Sequence, residues 1–237
     1  MNILLNNGEN KSSCCQLNYV ASKDNMYLID NHLAAIWCMA KLDCSKHYNF
    51  LHIDQHYDLV KYDKVKHSEI NDVDLQSLDI SQLTSFRTMN NGLRDQLITW
   101  DNYINLFNQK FPEVLQNSTF VTQKKGNFSY NKDCKQIEFY DIFDHYLDET
   151  NHWIFNIDLD CFFTTISIDE ESKKIQMYSD AFIEEFAEWL NKKNKEGIIE
   201  QIIFCLSPEC CGGWDNSWRV WKLIAAKLEL NDTIKKN

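Results

Sequence analysis

Between residues 26 and 228 the apolar pattern changes period repeatedly, and that alternation limits what the chain can fold into. Four short continuous runs have the length of strands buried on both faces: 26–29, 48–53, 153–157 and 201–206. Between and after them, residues 33–41 ("LAAIWCMAK"), 98–107, 180–193 ("DAFIEEFAEWLNKK") and 217–228 place apolar side chains at helical spacing. Asp30 or Asn31 is suited to cap the first of these helices. Strands alternating with helices predict an α/β architecture, a three-layer α/β/α arrangement around a mainly parallel sheet. Residues 123–135 are polar and turn-rich and read as a connection. With 237 residues, two prolines and six glycines, the chain shows no linker or repeat, so 1–237 reads as one domain.

Several function classes are disfavoured. Neither GxGxxG nor GxxxxGK[ST] occurs, which argues against the usual phosphate-cradling loops. A formal charge of -11 gives no basic stripe for nucleic acid and suits a cationic substrate or a carboxylate-rich metal site. No run approaches the ~20 apolar residues of a membrane span, and no basic-then-apolar signal opens the sequence, so a cytoplasmic location is expected. The nine cysteines follow no disulfide or CxxC pattern and read as reduced thiols. Adjacent Cys210 and Cys211 would be reactive only if the fold lowered a pKa, which the sequence does not specify.

Acids and histidines gather just beyond the strand-like runs. Asp30 and His32 follow the first, Asp54, His56 and Asp58 the second, Asp158 and Asp160 the third, and Glu209 the fourth. In a parallel sheet the carboxyl ends of the strands share one edge, where ligands bind. Alternate residues of an extended chain share a face, so Asp54, His56 and Asp58 converge. Taken alone, that triplet could equally be a solvated loop. The pair Asp158 and Asp160 lies between apolar residues, with no lysine or arginine from 152 to 165. A bound dication would compensate both carboxylates. Oxygen and imidazole donors suit Mn²⁺ better than a thiolate-seeking ion. Two ions ~3.5–4 Å apart that share carboxylates activate water for hydrolysis.

"DNHLAA", "HIDQHYD" and "NIDLD" resemble the metal motifs of the arginase–agmatinase–histone deacetylase superfamily. With "SPECCGGW", the likeness extends to the peptide arginases, which convert arginine residues of ribosomally made precursor peptides to ornithine and urea. The resemblance implies an arginase-like fold and two Mn²⁺ ions. It implies His32, Asp54, His56, Asp58, Asp158 and Asp160 as ligands, with Asp54 and Asp158 bridging. His32 and Asp58 would complete one coordination sphere, and His56 and Asp160 the other. Asp160 would relay a proton, and Glu209 would bind the guanidinium. A loop histidine of the family has its nearest match in His67, with His145 as the alternative. The implied partner is an arginine-containing precursor peptide, without nucleic acid or membrane; a homo-oligomer is left open. Competing readings are an agmatinase-like or deacetylase-like enzyme on a small cationic substrate, and a non-catalytic module holding a structural ion.

Overall fold

A computed structural model of the protein describes residues 1–60, 68–90, 93–130, 132–145, 147, 152–168 and 171–230. The main sheet has eight strands: β1 (Asn2–Asn6), β2 (Tyr19–Lys23), β3 (Met26–Ile29), β4 (Tyr48–His56), β7 (Leu115–Lys125), β8 (Cys134–Ile137), β9 (Trp153–Asp158) and β12 (Ile199–Cys205). Two hairpins stand apart, β5 (Arg87–Asn90) with β6 (Leu93–Gln96), and β10 (Phe163–Ile168) with β11 (Glu171–Gln176). The order across the main sheet is β1-β2-β3-β12-β9-β4-β7-β8. The six strands from β3 to β8 run parallel, while β1 and β2 add an antiparallel edge.

The strand runs are apolar on both alternating faces, with few polar residues, because both faces of the sheet are covered. Phe50, Ile154 and Ile203 point into one core layer with Ile36 and Met39 of α1 (Ala35–Met39) and Ile104 and Phe107 of α2 (Tyr103–Lys110). Their neighbours Leu51, Phe155 and Phe204 point into the other. There they meet Ile183, Phe186 and Leu190 of α3 (Asp180–Lys195) and Trp221 and Ile224 of α5 (Trp214–Lys227). Each such side chain, removed fully from water, contributes about 1.5–3 kcal/mol. Helices on both faces of a mainly parallel sheet give the expected three layers. A four-residue helix, α4 (Pro208–Cys211), joins β12 to α5. Among the described residues no helix is long and apolar enough to cross a membrane.

Two local expectations change. Residues 123–135 are not simply a connection: β7 runs to Lys125 and β8 begins at Cys134. The mixed polar sequence of β7 concealed a strand whose ladder is completed on both sides, by β4 and by β8. The helix expected over 98–107 starts instead at Tyr103. Asn102 terminates the preceding turn by accepting from the Thr99 N–H and donating to the Leu97 carbonyl.

Candidate metal centre

The carboxyl ends of β3, β4, β9 and β12 meet at one edge of the sheet, and each delivers a part of the site. After β3, Asn31 accepts from the Leu33 N–H and caps the 3₁₀ turn His32–Ala34, which holds the His32 ring at the edge. Asp30 does not cap. Its carboxylate takes the backbone N–H groups of Asn18 and Tyr19 and the Ser12 hydroxyl, fastening the N-terminal loop beside the site. That burial raises its pKa, with the same hydrogen bonds opposing.

β4 carries Asp54 and His56 on one face, with a register shift against β7 between them. Asp58 then adopts φ 52°, a left-handed conformation rare for a non-glycine residue, and this bend returns its carboxylate to His32. The D-x-H and D-x-D spacings have a local cause. Asp54 Oδ1 accepts from the His56 N–H at 2.6 Å, and Asp158 Oδ1 from the Asp160 N–H at 2.9 Å. Asp160 Oδ1 accepts from the Gln55 N–H at 3.0 Å. One oxygen of each carboxylate is thereby fixed by backbone and the other turned toward the cluster.

The resulting geometry has two halves. His32 Nδ1 lies 2.9 Å from Asp58 Oδ2, 3.1 Å from Asp54 Oδ2 and 3.3 Å from Asp158 Oδ2. His56 Nδ1 lies 3.1 Å from Asp160 Oδ2 and 3.4 Å from Asp54 Oδ1. Asp54 thus offers one oxygen to each half. All six side chains named from the sequence as ligands come together here, and the four aspartates and His32 are buried.

Four buried carboxylates around two imidazoles cannot all be ionised cheaply. Burial, then the charge of Asp54, pushes Asp58 up to about 7. Burial and Asp160 raise Asp158 well above the usual range, and burial and Asp54 raise Asp160. Asp54 goes the other way: burial opposes, but contacts with His32 and His56 hold it low. Against burial, Asp160 and Asp54 lift His56 to about 11, and Asp158, Asp54 and Asp58 lift His32. Asp54 Oδ2 and Asp160 Oδ2 are buried and meet imidazole nitrogens but no backbone donor. Among the described residues no lysine or arginine forms an ion pair with these aspartates. Crowded carboxylates and imidazole nitrogens facing inward together fit divalent cations, which would compensate all of them at once.

Next to the cluster opens a pocket of about 240 Å³, lined by His32, His56, Asp58 and Asp158. Glu209 stands on its exposed rim, where Glu209 Oε1 accepts from the Ser12 N–H at 3.0 Å. His67 lies outside the described residues. His145 is not at the site; it lines a separate cavity with Asn49 and Trp153, from the amino ends of β4 and β9.

Sequence reasoning missed several residues. Ser207, with φ 40°, donates its hydroxyl to Asp158 Oδ2 at 2.5 Å. Lys125 enters the pocket from the end of β7, a strand the apolar pattern did not reveal. His52, read as strand filler, is completely buried with Nε2 3.6 Å from Asp54 Oδ2. Asn156 Nδ2 stands 3.1 Å from His52 Nδ1, so that nitrogen accepts and Nε2 carries the hydrogen toward Asp54. Burial keeps His52 neutral, with a pKa of about 4. In the alternating strand pattern, His52 stands two residues before Asp54 and Asn156 two before Asp158, the one available signal that they lie beneath the cluster.

The sequence matches no family model, and no curated protein is similar to it. Among solved structures it is similar to an arginase from Bacillus cereus, with a TM-score of 0.44 and 14% identity over 89% of this chain and 71% of that one. A likeness at this level assigns no activity. The class supported by the site's own geometry is a mainly parallel α/β protein with a buried Asp/His cluster suited to divalent metal.

Proposed function

We propose that the protein is a binuclear metal-dependent hydrolase that cleaves the guanidinium group of arginine residues in a precursor peptide, leaving ornithine and releasing urea. The observation that carries this reading is the division of the cluster into two imidazole-centred halves with Asp54 between them. His32 and Asp58 would hold one ion and His56 and Asp160 the other, with Asp54 and Asp158 shared between them and Mn²⁺ suited to the nitrogen and oxygen donors. Bound there, the ions would supply Lewis acidity and activate water at neutral pH.

The remaining work falls to the chain's own groups. The pocket is small for a whole drug-sized ligand and of a size for one extended side chain. Asp101 and Glu209 make its outer lining acidic, which suits a guanidinium entering from solvent. Glu209 Oε2 takes no hydrogen bond from the described residues and can accept one from the substrate. Hydrolysis adds water to the guanidinium carbon, breaks its bond to the side-chain nitrogen and requires a proton on the departing amine. Asp160 would carry that proton; its Oδ2 lies 3.1 Å from His56 Nδ1, which lines the pocket and could pass the proton on.

The test is mass spectrometry of an arginine-containing peptide after incubation with the protein and Mn²⁺, with urea assayed in the same mixture. Conversion of arginine to ornithine with stoichiometric urea is expected. Tight binding of two ions with no urea from any arginine peptide would overturn the activity and leave a metal-binding protein. Acetate from an acetyl-lysine peptide would redirect the reading to deacetylation.

A further inference from the structure

The thiol of Cys210 has no part in the mechanism above, yet it sits over the less complete half of the centre. Its Sγ and ligand atoms of His56 and Asp160 all lie within 4.8 Å of one another. Two donors on one tetrahedral ion stand roughly 3.6 Å apart for a nitrogen or oxygen paired with sulfur. The three atoms would draw together around an ion by about an ångström at most. Asp160 Oδ2 is completely buried, and its near neighbour is His56 Nδ1 at 3.1 Å, another donor of the same half, so a cation there would meet both.

The two halves differ in how many oxygens they already present. His32 Nδ1 faces three carboxylate oxygens, whereas His56 Nδ1 faces two. The His56 half thus has fewer oxygens facing its imidazole and leaves room for a further protein donor beside the water position. Local structure explains why Cys210 rather than its neighbour fills that place. Cys211 is fully buried and donates its thiol to the Leu206 carbonyl at 3.3 Å, while Cys210 lines the pocket. The turn holding them begins at left-handed Ser207 and ends at left-handed Gly212, where a Cβ would meet Lys174 Cβ at 3.0 Å. Cys205 also lies near His32 and Asp158, but its sulfur contacts the Ser207 hydroxyl at 3.2 Å and that half already has its oxygens.

We propose that Cys210 is a metal ligand: its sulfur completes, with His56, Asp160 and the shared Asp54, a mixed nitrogen–oxygen–sulfur set for one ion. The inference rests on the two-ion reading above. As the sulfur–metal bond forms, the thiol proton leaves to solvent. A thiolate makes that half favour a softer ion such as Co²⁺ or Zn²⁺ over Mn²⁺, while the His32 half keeps hard donors.

The experiment titrates the chelator-treated full chain with Co²⁺, following near-ultraviolet thiolate-to-cobalt absorption and counting bound metal. Wild type is expected to bind two ions and to show the thiolate band with one of them. Cys210→Ser should lose the band and weaken that ion at least about tenfold, whereas Cys205→Ala should keep the band. Alkylation mapped by mass spectrometry gives a second measure: metal should protect Cys210 in wild type but leave exposed Cys14 reactive. Two bound ions without a thiolate band, a band surviving in Cys210→Ser, or Cys210 alkylated equally with and without metal would each overturn the ligand role and leave the two-ion reading standing. Failure to bind Co²⁺ at all would overturn both.

Discussion

Stripped of metal with a chelator, the protein should lose stability as pH rises from about 5 to 9. The cause is the cluster's own charge. Burial beside Asp54 pushes Asp58 from its ordinary 3.8 up to about 7 in the fold, and, against burial, Asp160 and Asp54 lift His56 from 6.5 to about 11. Both groups hold their proton more tightly in the folded chain than in the unfolded one. The Asp58 contribution is therefore complete below its unfolded pKa and disappears as pH climbs through about 7; that of His56 is complete below its unfolded pKa and fades toward 11. Asp54, held low, adds stability that is fully present across this range and gives no slope, whereas His52, held down at about 4, opposes the trend only below its unfolded value of 6.5. The raised Asp58 makes the loss across neutral pH large enough to read in an unfolding midpoint, several times the ~0.5 kcal/mol of an ordinary surface change. Urea unfolding at pH 5, 7 and 9, followed by circular dichroism, measures the slope. Asp58→Asn should remove the part below pH 7, and saturating Mn²⁺ should flatten the curve by replacing protons with cations. The net charge of -11 also opposes folding at high pH, but the variant shares nearly all of it. Equal stability of the chelated protein at pH 5 and 9, or an unchanged slope in Asp58→Asn, would refute the electrostatic account.

Asp54→Asn should lower occupancy at both halves, because its two oxygens face different imidazoles, whereas His56→Ala should spare the ion near His32. Metal analysis after dialysis separates these outcomes, and equal loss of one ion in each would count against a shared Asp54. Glu209→Gln should retain both ions and lose roughly tenfold in urea release, the low end for a charge-assisted hydrogen bond at an exposed rim. Unchanged turnover would make it a loop anchor for Ser12. Ser207→Ala removes the hydroxyl bound to Asp158 and should weaken metal binding by about 10–100-fold while leaving the unfolding midpoint of the chelated protein nearly unchanged. Metal titration followed by tryptophan fluorescence checks this, and undiminished affinity would show that Asp158 needs no such support.

Much of the centre was legible in the chain because local rules determine it. The runs around Leu51, Phe155 and Phe204 are mostly apolar on both alternating faces, a pattern that calls for cover on both sides and so predicts a parallel sheet. The strand ends of such a sheet share an edge, and the D-x-H and D-x-D spacings let each leading aspartate bind the backbone N–H two residues on. What the sequence could not reveal depends on contacts between distant segments. β7 is polar enough to pass for a connection, and only pairing with β4 and β8 makes it a strand and brings Lys125 to the pocket. The left-handed backbone at Asp58 and Ser207 is held by no residue preference, since neither is glycine; surrounding structure imposes it and aims both side chains inward. Cys210 and Cys211 are identical in type and adjacent in sequence, and only the short helix after β12 turns one toward the core and the other toward the Asp/His cluster. Sequence periodicity speaks for neighbours one or two turns apart, whereas closing a site takes groups from residues 12 to 210 held together by the whole fold.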